Sequence, residues 1–409
     1  MVNTSKDPVT SDILQVLQLR TVNDPWLPRL RIFVLKGATE AFTPVIPLFL
    51  SAQTTVIHII FAKGLPTTVV VSTISWLPKL CPNLEYIGLE KLPRHPVITE
   101  AVSEMLLAYN RDTLREFRVD SPLTEEAREI VYRLPKLMVL WMVIQGPTLL
   151  PTVILPNLTA IRVECNDDLN WLQGFRGATL EKLEFIVFHT ERNDIGDFLE
   201  AFERVALTTS IKNTLSGFRF HTSRPWNPNY SSLLSFSQLK ELEIHFSCEG
   251  GCSSRVDDDI IVSLARAMPK LEVLRLGDIP CNTPTGITVN GLINLACRCP
   301  HLLKLRIHFQ TTTLVGAATN ATAPSPSDKP AVLRKDSALT YLEVGATPIP
   351  ARSGTMIAHI LLQIFPRILN VEYTNREWKP VAETIKDFRQ IGGFIHRSSK
   401  MHITLNDRW

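Results

Sequence analysis

The chain has little of what marks a secreted or membrane-spanning protein. Seven cysteines, an odd number scattered over 409 residues, do not fit a disulfide framework. The N-terminal residues lack the basic and then apolar pattern of an export signal. Prolines and polar residues interrupt the most apolar early stretch, residues 43–62, well short of the roughly 18 apolar residues that a membrane helix needs. We therefore expect a protein of the cytoplasm, the nucleus or both, with no membrane contact.

Excess charge and catalytic motifs are also lacking. The 43 basic and 40 acidic residues leave a net charge of +3, which gives no field to recruit nucleic acid. The sequence has no Gly-x-x-x-x-Gly-Lys-Ser/Thr phosphate loop, no Gly-x-Ser-x-Gly elbow, no His-Glu-x-x-His and no Gly-x-Gly-x-x-Gly. We expect neither nucleic-acid binding nor enzymatic activity, and no cofactor.

One cluster has metal-like spacing. Cys248 and Cys252 follow His245, and a fourth zinc ligand would have to come from His221 or Cys281. A glycine-rich turn with two ordinary thiols explains the same residues, and we favour that interpretation and expect no metal. Two other cysteines, Cys81 and Cys299, precede Pro-x-Leu, where we expect a small sulfur side chain to be core.

The sequence does contain an internal repeat, the phrase Leu-x-x-Leu-x-Leu. Thirteen copies begin at intervals of roughly 21 to 37 residues, which bracket the leucine-rich-repeat period. The clean copies begin at Leu84, Leu158, Leu239, Leu271, Leu302 and Leu339, and the looser ones at Leu30, Val56, Leu114, Leu137, Leu180, Leu215 and Ile368. Such a unit cannot bury its apolar face alone, so it stacks on its neighbours as a solenoid.

The residues between these phrases show a helical period. In residues 257–268 and 288–299 the apolar side chains recur on one helical face, and a proline follows each segment. Residues 98–109, 124–134, 194–208 and 355–365 follow the same plan. The predicted fold class is α/β: a leucine-rich-repeat solenoid with a curved parallel sheet on the concave face and helices on the convex face.

The predicted organisation has three parts. Residues 1–25 form an N-terminal tail or cap, residues 26–374 the solenoid, and residues 375–409 a C-terminal cap. A flexible insertion rich in Ala, Thr, Pro and Ser lies at 317–337. We expect the cap helix to bury Trp378, Val381, Ile385 and Phe388 on one face, because the open core end of a solenoid needs covering. We expect a monomer.

Residues 256–281 and 286–309 carry a further signal. Residues 286–309 follow the form Ile-Thr-x-x-Gly-Leu-x-x-Leu-Ala-x-x-Cys-Pro-x-Leu-x-x-Leu-x-Leu, with Ile307 at its last position, and residues 256–281 share its second half with Met-Pro in place of Cys-Pro. This form resembles the cysteine-containing repeats of fungal F-box/leucine-rich-repeat proteins. The resemblance implies substrate recognition for a Skp–cullin–F-box ubiquitin ligase, with a ligase adaptor as second partner if an F-box lies upstream. No Leu-Pro-x-Glu-Ile-Leu start of an F-box is present in the sequence. A ligase-independent intracellular adaptor or scaffold is therefore the alternative.

The last variable position of each phrase points onto the concave face, because side chains alternate along a strand. We predict that a protein substrate binds there, through the column residues Arg118, Trp141, Arg162, Glu184, Arg219, Glu243, Arg275 and Arg306. The full column also includes Val34, Ile60, Gly88, Glu343 and Glu372. A solvated ion-pair ladder would explain the alternating charges equally well, whereas Trp141 beside Arg118 favours docking. His221, His245 and His308 in the next column would add pH sensitivity if they belong to the binding surface, but solvated histidines without such a role are the default interpretation.

Overall fold

The computed structural model describes residues 2–3, 25–109, 112–144, 155–165, 179–187, 198–207, 211–222, 229–246, 256–277, 286–313, 337–345 and 347–390. The chain divides into two compact units. The first unit is Met1–Thr190 with Arg204–Thr214, and the second is Glu191–Glu203 with Leu215–Trp409.

The first unit contains strands that pair in parallel in chain order. They are β1 Val2–Asn3, β2 Ile32–Ala38, β3 Val56–Phe61, β4 Tyr86–Glu90, β5 Glu116–Pro122, β6 Val139–Ile144, β7 Ala160–Cys165 and β8 Lys182–Val187. Each strand from β1 to β7 hydrogen-bonds to the strand that follows it in this unit. The short strand β1 was not predicted, and it extends the sheet by pairing with Leu35 and Lys36 of β2.

The second unit repeats this arrangement. Its strands are β9 Gly217–Thr222, β10 Glu241–Phe246, β11 Val273–Leu276, β12 Lys304–Arg306, β13 Tyr341–Gly345 and β14 Asn370–Tyr373. They also pair in parallel in chain order. A parallel pair needs a crossover connection, and here helices or short 3-10 turns supply many of these connections.

Most of the α-helices and 3-10 helices lie between successive strands, and the last two follow β14. The α-helices are Thr67–Leu80, Pro96–Ala108, Glu125–Val131, Phe198–Leu207, Ile211–Thr214, Asp258–Ala267, Val289–Arg298 and Gly354–Ile364, with a further helix at 379–390. The 3-10 helices are Thr43–Leu48, Tyr230–Leu233 and Arg376–Trp378. Neighbouring helices pack on each other within each unit. The predicted fold class, an α/β leucine-rich-repeat solenoid, is confirmed.

Local sequence explains where a typical helix begins and ends. Asp257 caps Asp258–Ala267, because its side chain accepts a hydrogen bond of 3.0 Å from the backbone N–H of Ile260. The helix ends before Pro269, which disfavours a helical conformation in the preceding residue. Its buried side chains include Ile261 and Leu264, as the apolar period predicts.

The longest helix that the sequence prediction missed is Thr67–Leu80. Thr67–Leu80 begins Thr-Thr-Val-Val-Val, a run of β-branched residues that favours a strand. In the helix, the Ser72 and Thr73 hydroxyls donate to the backbone oxygen of Val69, and the Ser75 hydroxyl donates to that of Val71. Tertiary packing of the buried face overrides the local preference here.

The core consists of the repeated leucines and their neighbours. Leu274 and Leu305 are fully buried, as predicted. Cys81 and Cys299 are also fully buried, and burial raises the pKa of Cys299 to about 12. The thiol of Cys299 lies 3.7 Å from the backbone oxygen of Met268. These two cysteines are therefore packing residues.

The predicted terminal parts and insertion are described only partly. Trp378, Val381 and Ile385 are buried, and the Trp378 indole N–H donates a 2.7 Å hydrogen bond to the Thr347 carbonyl. Phe388, expected on the same face, is half exposed. Residue 337 apart, the insertion at 317–337 lies outside the described residues, as does most of the 1–25 segment.

Candidate functional site

The site lies on the side of the sheet away from the helices, which we call the open face. Along β5, Phe117 and Val119 are buried in the core, whereas Arg118 between them is half-buried on the open face. In the first unit the register brings one centre row together: Val34, His58, Gly88, Arg118, Trp141, Arg162 and Glu184. The predicted column is confirmed as a geometrical row, with one exception.

The exception is Ile60, which was predicted in this row and is replaced by His58. The frame of this repeat is two residues earlier than predicted, because Thr54 occupies the position that leucine holds in other repeats. Thr54 is fully buried, and its hydroxyl donates a 2.9 Å hydrogen bond to the Leu30 carbonyl. This hydrogen bond lets a threonine fill an apolar position.

Two guanidinium groups of this row lie close to aromatic rings. The guanidinium carbon of Arg162 lies 3.8 Å from the centroid of the Trp141 ring, and that of Arg118 lies 5.4 Å from the Tyr86 ring. A Cβ at Gly88 would lie 2.8 Å from both His58 Cδ2 and the Tyr86 hydroxyl oxygen. A larger residue at position 88 would therefore require the His58 and Tyr86 rings to move from these positions.

The ion pairs of this row are partly solvated. Arg162 lies 3.3 Å from Glu184 on the next strand, and Arg118 lies 3.0 Å from Glu116 on its own strand. The exposed fraction of these four side chains lies between about one fifth and just over one third. Pairs of this kind contribute on the order of 0–1 kcal/mol, so stability alone does not explain them.

A second row of this face is acidic. Glu90, Asp120 and Glu164 stand toward the carboxyl ends of β4, β5 and β7. The His58 ring nitrogen Nε2 lies 2.8 Å from Glu90, and the backbone N–H groups of Lys91 and Leu92 donate to Asp120. Sequence reasoning missed this row, although its members follow the centre row by two residues, the period of a strand.

The pKa values of two carboxyl groups of the acidic row, Asp120 and Glu164, are both raised. Burial raises the pKa of Asp120, although the N–H groups of Leu92 and Lys91 act to lower it. Burial also raises the pKa of Glu164, and the charge of Asp120 raises it further. Arg162 and Arg94 oppose this rise without cancelling it. Both carboxyl groups are therefore held in surroundings that disfavour their charged form.

In the second unit the centre row is Arg219, Glu243, Arg275, Arg306, Glu343 and Glu372. Glu243 accepts from three cationic or polar neighbours: Arg219 at 3.4 Å, Arg275 at 3.3 Å and His245 at 3.5 Å. Burial alone would raise the pKa of Glu243, but the His245 hydrogen bond and the two arginines lower it to about 2. This part of the row is an ion-pair network.

His245 joins that network to the next arginine. Arg306 donates to His245 Nδ1 at 3.0 Å and to Glu343 at 2.6 Å. Because Nδ1 accepts, the hydrogen bonds assign the proton to Nε2, which faces Glu243. The His221 ring stacks on His245, with centroids 4.4 Å apart. Of the predicted histidine column, His245 thus takes part in the polar network and His221 packs against it.

The residues that the structure describes contain neither a metal-binding cluster nor a membrane-spanning helix. Within the described parts of the chain, no group of three or more His, Cys, Asp or Glu residues could hold a metal ion. Cys248, Cys252 and Cys281 of the weighed zinc cluster lie outside the described residues. A search of the described helices finds none with the length and apolar character needed to cross a membrane.

Comparisons with known proteins add little. No protein-family model matches the chain. No curated protein matches it either. Among solved structures, the chain is similar to a chain of the yeast Rad7–Elc1 complex, with 13% identity and a TM-score of 0.30 over 82% of this chain and 81% of that one. A likeness this low carries no argument about function.

Proposed function

We propose that this chain binds a protein partner through the open face of its first unit, centred on Arg118, Trp141, Arg162 and Glu184. The observation that supports it is the position of Trp141, whose large ring lies half-buried on the open face under the Arg162 guanidinium. An ion-pair ladder needs charges but no indole ring. Trp and Arg together are the residues that most often concentrate binding energy at protein interfaces.

The second unit has a smaller part in this proposal. Its centre row pairs arginines with glutamates, and the buried Glu243 and Glu343 each have an arginine within 3.4 Å. Charges that already have partners offer less to a ligand than charges without them. Arg219, Glu243, Arg275 and Arg306 therefore act chiefly through electrostatic steering and solubility.

The finer proposal is that the bound protein is a substrate of a Skp–cullin–F-box ubiquitin ligase. It rests on the resemblance of residues 256–281 and 286–309 to fungal F-box/leucine-rich-repeat proteins. In this role the chain performs no chemistry of its own and presents its target to the ligase. We place it in the cytoplasm or the nucleus.

Site-specific photo-crosslinking tests the binding face. A benzophenone side chain at Ala160, beside Trp141 on the open face, should give protein adducts in an extract of the source cells. The matched position is Glu104, which is exposed on the helix Pro96–Ala108 of the same unit. Adducts at Glu104 with none at Ala160 would place recognition on the helical side.

The ligase link is tested separately with the purified ligase adaptor. Binding of the full-length gene product to the adaptor, and loss of binding when any F-box in that product is deleted, would support it. A full-length product that crosslinks through Ala160 but does not bind the adaptor would instead be a ligase-independent adaptor or scaffold.

A further inference from the structure

Three charged side chains are buried among the residues that the structure describes, and all three are glutamates on the open face. Glu243 is 5% exposed, Glu343 is 4% exposed and Glu164 is 9% exposed. A buried charge is costly to maintain unless another charge or a set of hydrogen bonds compensates it. The three sites can therefore be compared by what compensates each of them.

Two of the three are compensated within the chain. Glu343 lies 2.6 Å from Arg306, and Glu243 lies within 3.4 Å of both Arg219 and Arg275. In the described parts of the chain, the carboxyl group of Glu164 has no hydrogen bond and no direct ion pair. Its strand neighbour Arg162 is directed to Glu184, at 3.3 Å.

The surroundings of Glu164 add negative charge. Asp120 is near enough for its charge to raise the pKa of Glu164, and Glu90 acts on Asp120 in the same direction. The oxygens of Asp120 are fixed by the backbone N–H groups of Lys91 and Leu92, so this carboxyl group is preorganised. The acidic row thus places the fixed carboxyl group of Asp120 beside a carboxyl group without a direct ion pair, and the charges of Arg162 and Arg94 offset the raised pKa of Glu164 only in part.

The position of Glu164 indicates how a counter-charge would arrive. It follows Arg162 by two residues on β7, so its side chain points to the open face, diagonally across from Trp141 on β6. An extended segment lying over Trp141 would pass within reach of both residues. A cationic side chain fits this position, because its charge complements the carboxyl groups of Glu164 and Asp120.

We propose that Glu164, with Asp120 beside it, receives a lysine or arginine side chain of the bound protein next to Trp141. This deepens the proposed function and rests on it: the target's docking segment is basic at this point. The bound cation forms an ion pair with Glu164, as Arg306 does with Glu343. Trp141 contributes ring contacts to the same segment. Charge complementarity at Glu164 then gives the open face its selectivity.

The test begins with a library of random peptides displayed on phage and selected on the full chain. Enriched peptides should contain a Lys or Arg whose replacement by an uncharged residue abolishes binding to the chain. Synthetic peptides would then be measured against wild type, Glu164→Gln and Glu85→Gln by fluorescence anisotropy. Glu85 is the matched control, because it is an exposed carboxylate of the same unit with Arg115 as its partner. The thermal midpoint of each variant reports whether it is folded.

We expect at least a tenfold loss of affinity with Glu164→Gln and no change with Glu85→Gln. Citrulline in place of the critical peptide Arg keeps the shape of the side chain without its charge. This exchange should weaken binding to wild type by the same factor, and it should not weaken binding to Glu164→Gln any further. Peptides that need Trp141 but not a basic residue, or that bind Glu164→Gln as tightly as wild type, would overturn this inference and leave the proposed function intact. A library without any peptide dependent on Trp141 or Glu164 would contradict both.

Discussion

The guanidinium carbon of Arg162 lies 3.8 Å from the centroid of the Trp141 ring, while the same guanidinium lies 3.3 Å from Glu184. Arg162 is therefore held from two sides. A cation over an indole ring contributes about 0.5–1 kcal/mol at exposed sites, and more where water is excluded. The ring and the guanidinium fix each other on the open face before any partner arrives, which lowers the entropic cost of binding.

Replacement of Trp141 tests whether this arrangement is used. Trp141→Ala should weaken binding of a partner or selected peptide by at least about 2 kcal/mol, the usual threshold for an interface hot spot. Isothermal titration calorimetry provides the measurement. The thermal midpoint should change little, because the Trp141 ring is outside the core.

The control for Trp141→Ala is Arg266→Glu, a charge reversal on the exposed side of the helix Asp258–Ala267. It should leave affinity unchanged. If the helix change abolishes binding while Trp141→Ala does not, recognition takes place on the helical side and the open-face site is wrong.

The repeat frame could be predicted from the sequence because an apolar phrase identifies its own strand. Leu274 and Leu305 are opposite each other in the register of β11 and β12 because both occupy the same position of that phrase. The predicted frame of the second repeat was wrong by two residues, because polar Thr54 fills the leucine position and its hydroxyl donates a hydrogen bond to the Leu30 carbonyl. A hydrogen bond of this kind has no counterpart in an apolar pattern.

The acidic row was harder to predict for a different reason. Sequence places Glu164 two residues after Arg162, but it does not say which cations are within reach. Between Arg118 and Pro122 the pairing of β5 with β6 shifts, so that four residue steps on β5 match two on β6. The surroundings of Glu164 depend on this irregularity and on the ion pair between Arg162 and Glu184. Both are features of the tertiary structure, which the sequence pattern does not contain.

Truncation of a repeated core leucine tests the energetic role of the phrase. Leu274→Ala or Leu305→Ala should destabilise the chain by about 2–5 kcal/mol, since each side chain is fully buried and its loss leaves a cavity. Chemical denaturation followed by circular dichroism measures the change. The neighbouring surface residue Leu303 is exposed, so Leu303→Ala should shift the midpoint little.

Acid stability should depend on Glu243. Its pKa is lowered from 4.5 to about 2, so the charged form is favoured by folding and stabilises the folded chain above pH 4.5. This contribution is lost as the pH falls from 4.5 toward 2. At about 1.4 kcal/mol per pKa unit it amounts to about 3 kcal/mol. Unfolding free energies measured between pH 6 and pH 2 should fall less steeply for Glu243→Gln than for wild type.

The two buried glutamates Glu164 and Glu243 should respond in opposite ways to the same substitution. Glu243→Gln removes the negative charge that Arg219 and Arg275 share and leaves a single neutral acceptor oxygen, so it should cost about 1–3 kcal/mol at neutral pH, as weakening of hydrogen bonds to a charged group does. Glu164→Gln removes a charge whose pKa is raised by burial and by Asp120, so it should leave stability unchanged or increase it. The measurement is the unfolding free energy of both variants at pH 7, repeated at pH 4. The advantage of Glu164→Gln should shrink at pH 4, because a raised pKa brings the wild-type carboxyl group closer to neutral there. Equal destabilisation by the two variants would mean that Glu164 has a structural counter-charge, and its assignment to a partner's cation would then be wrong.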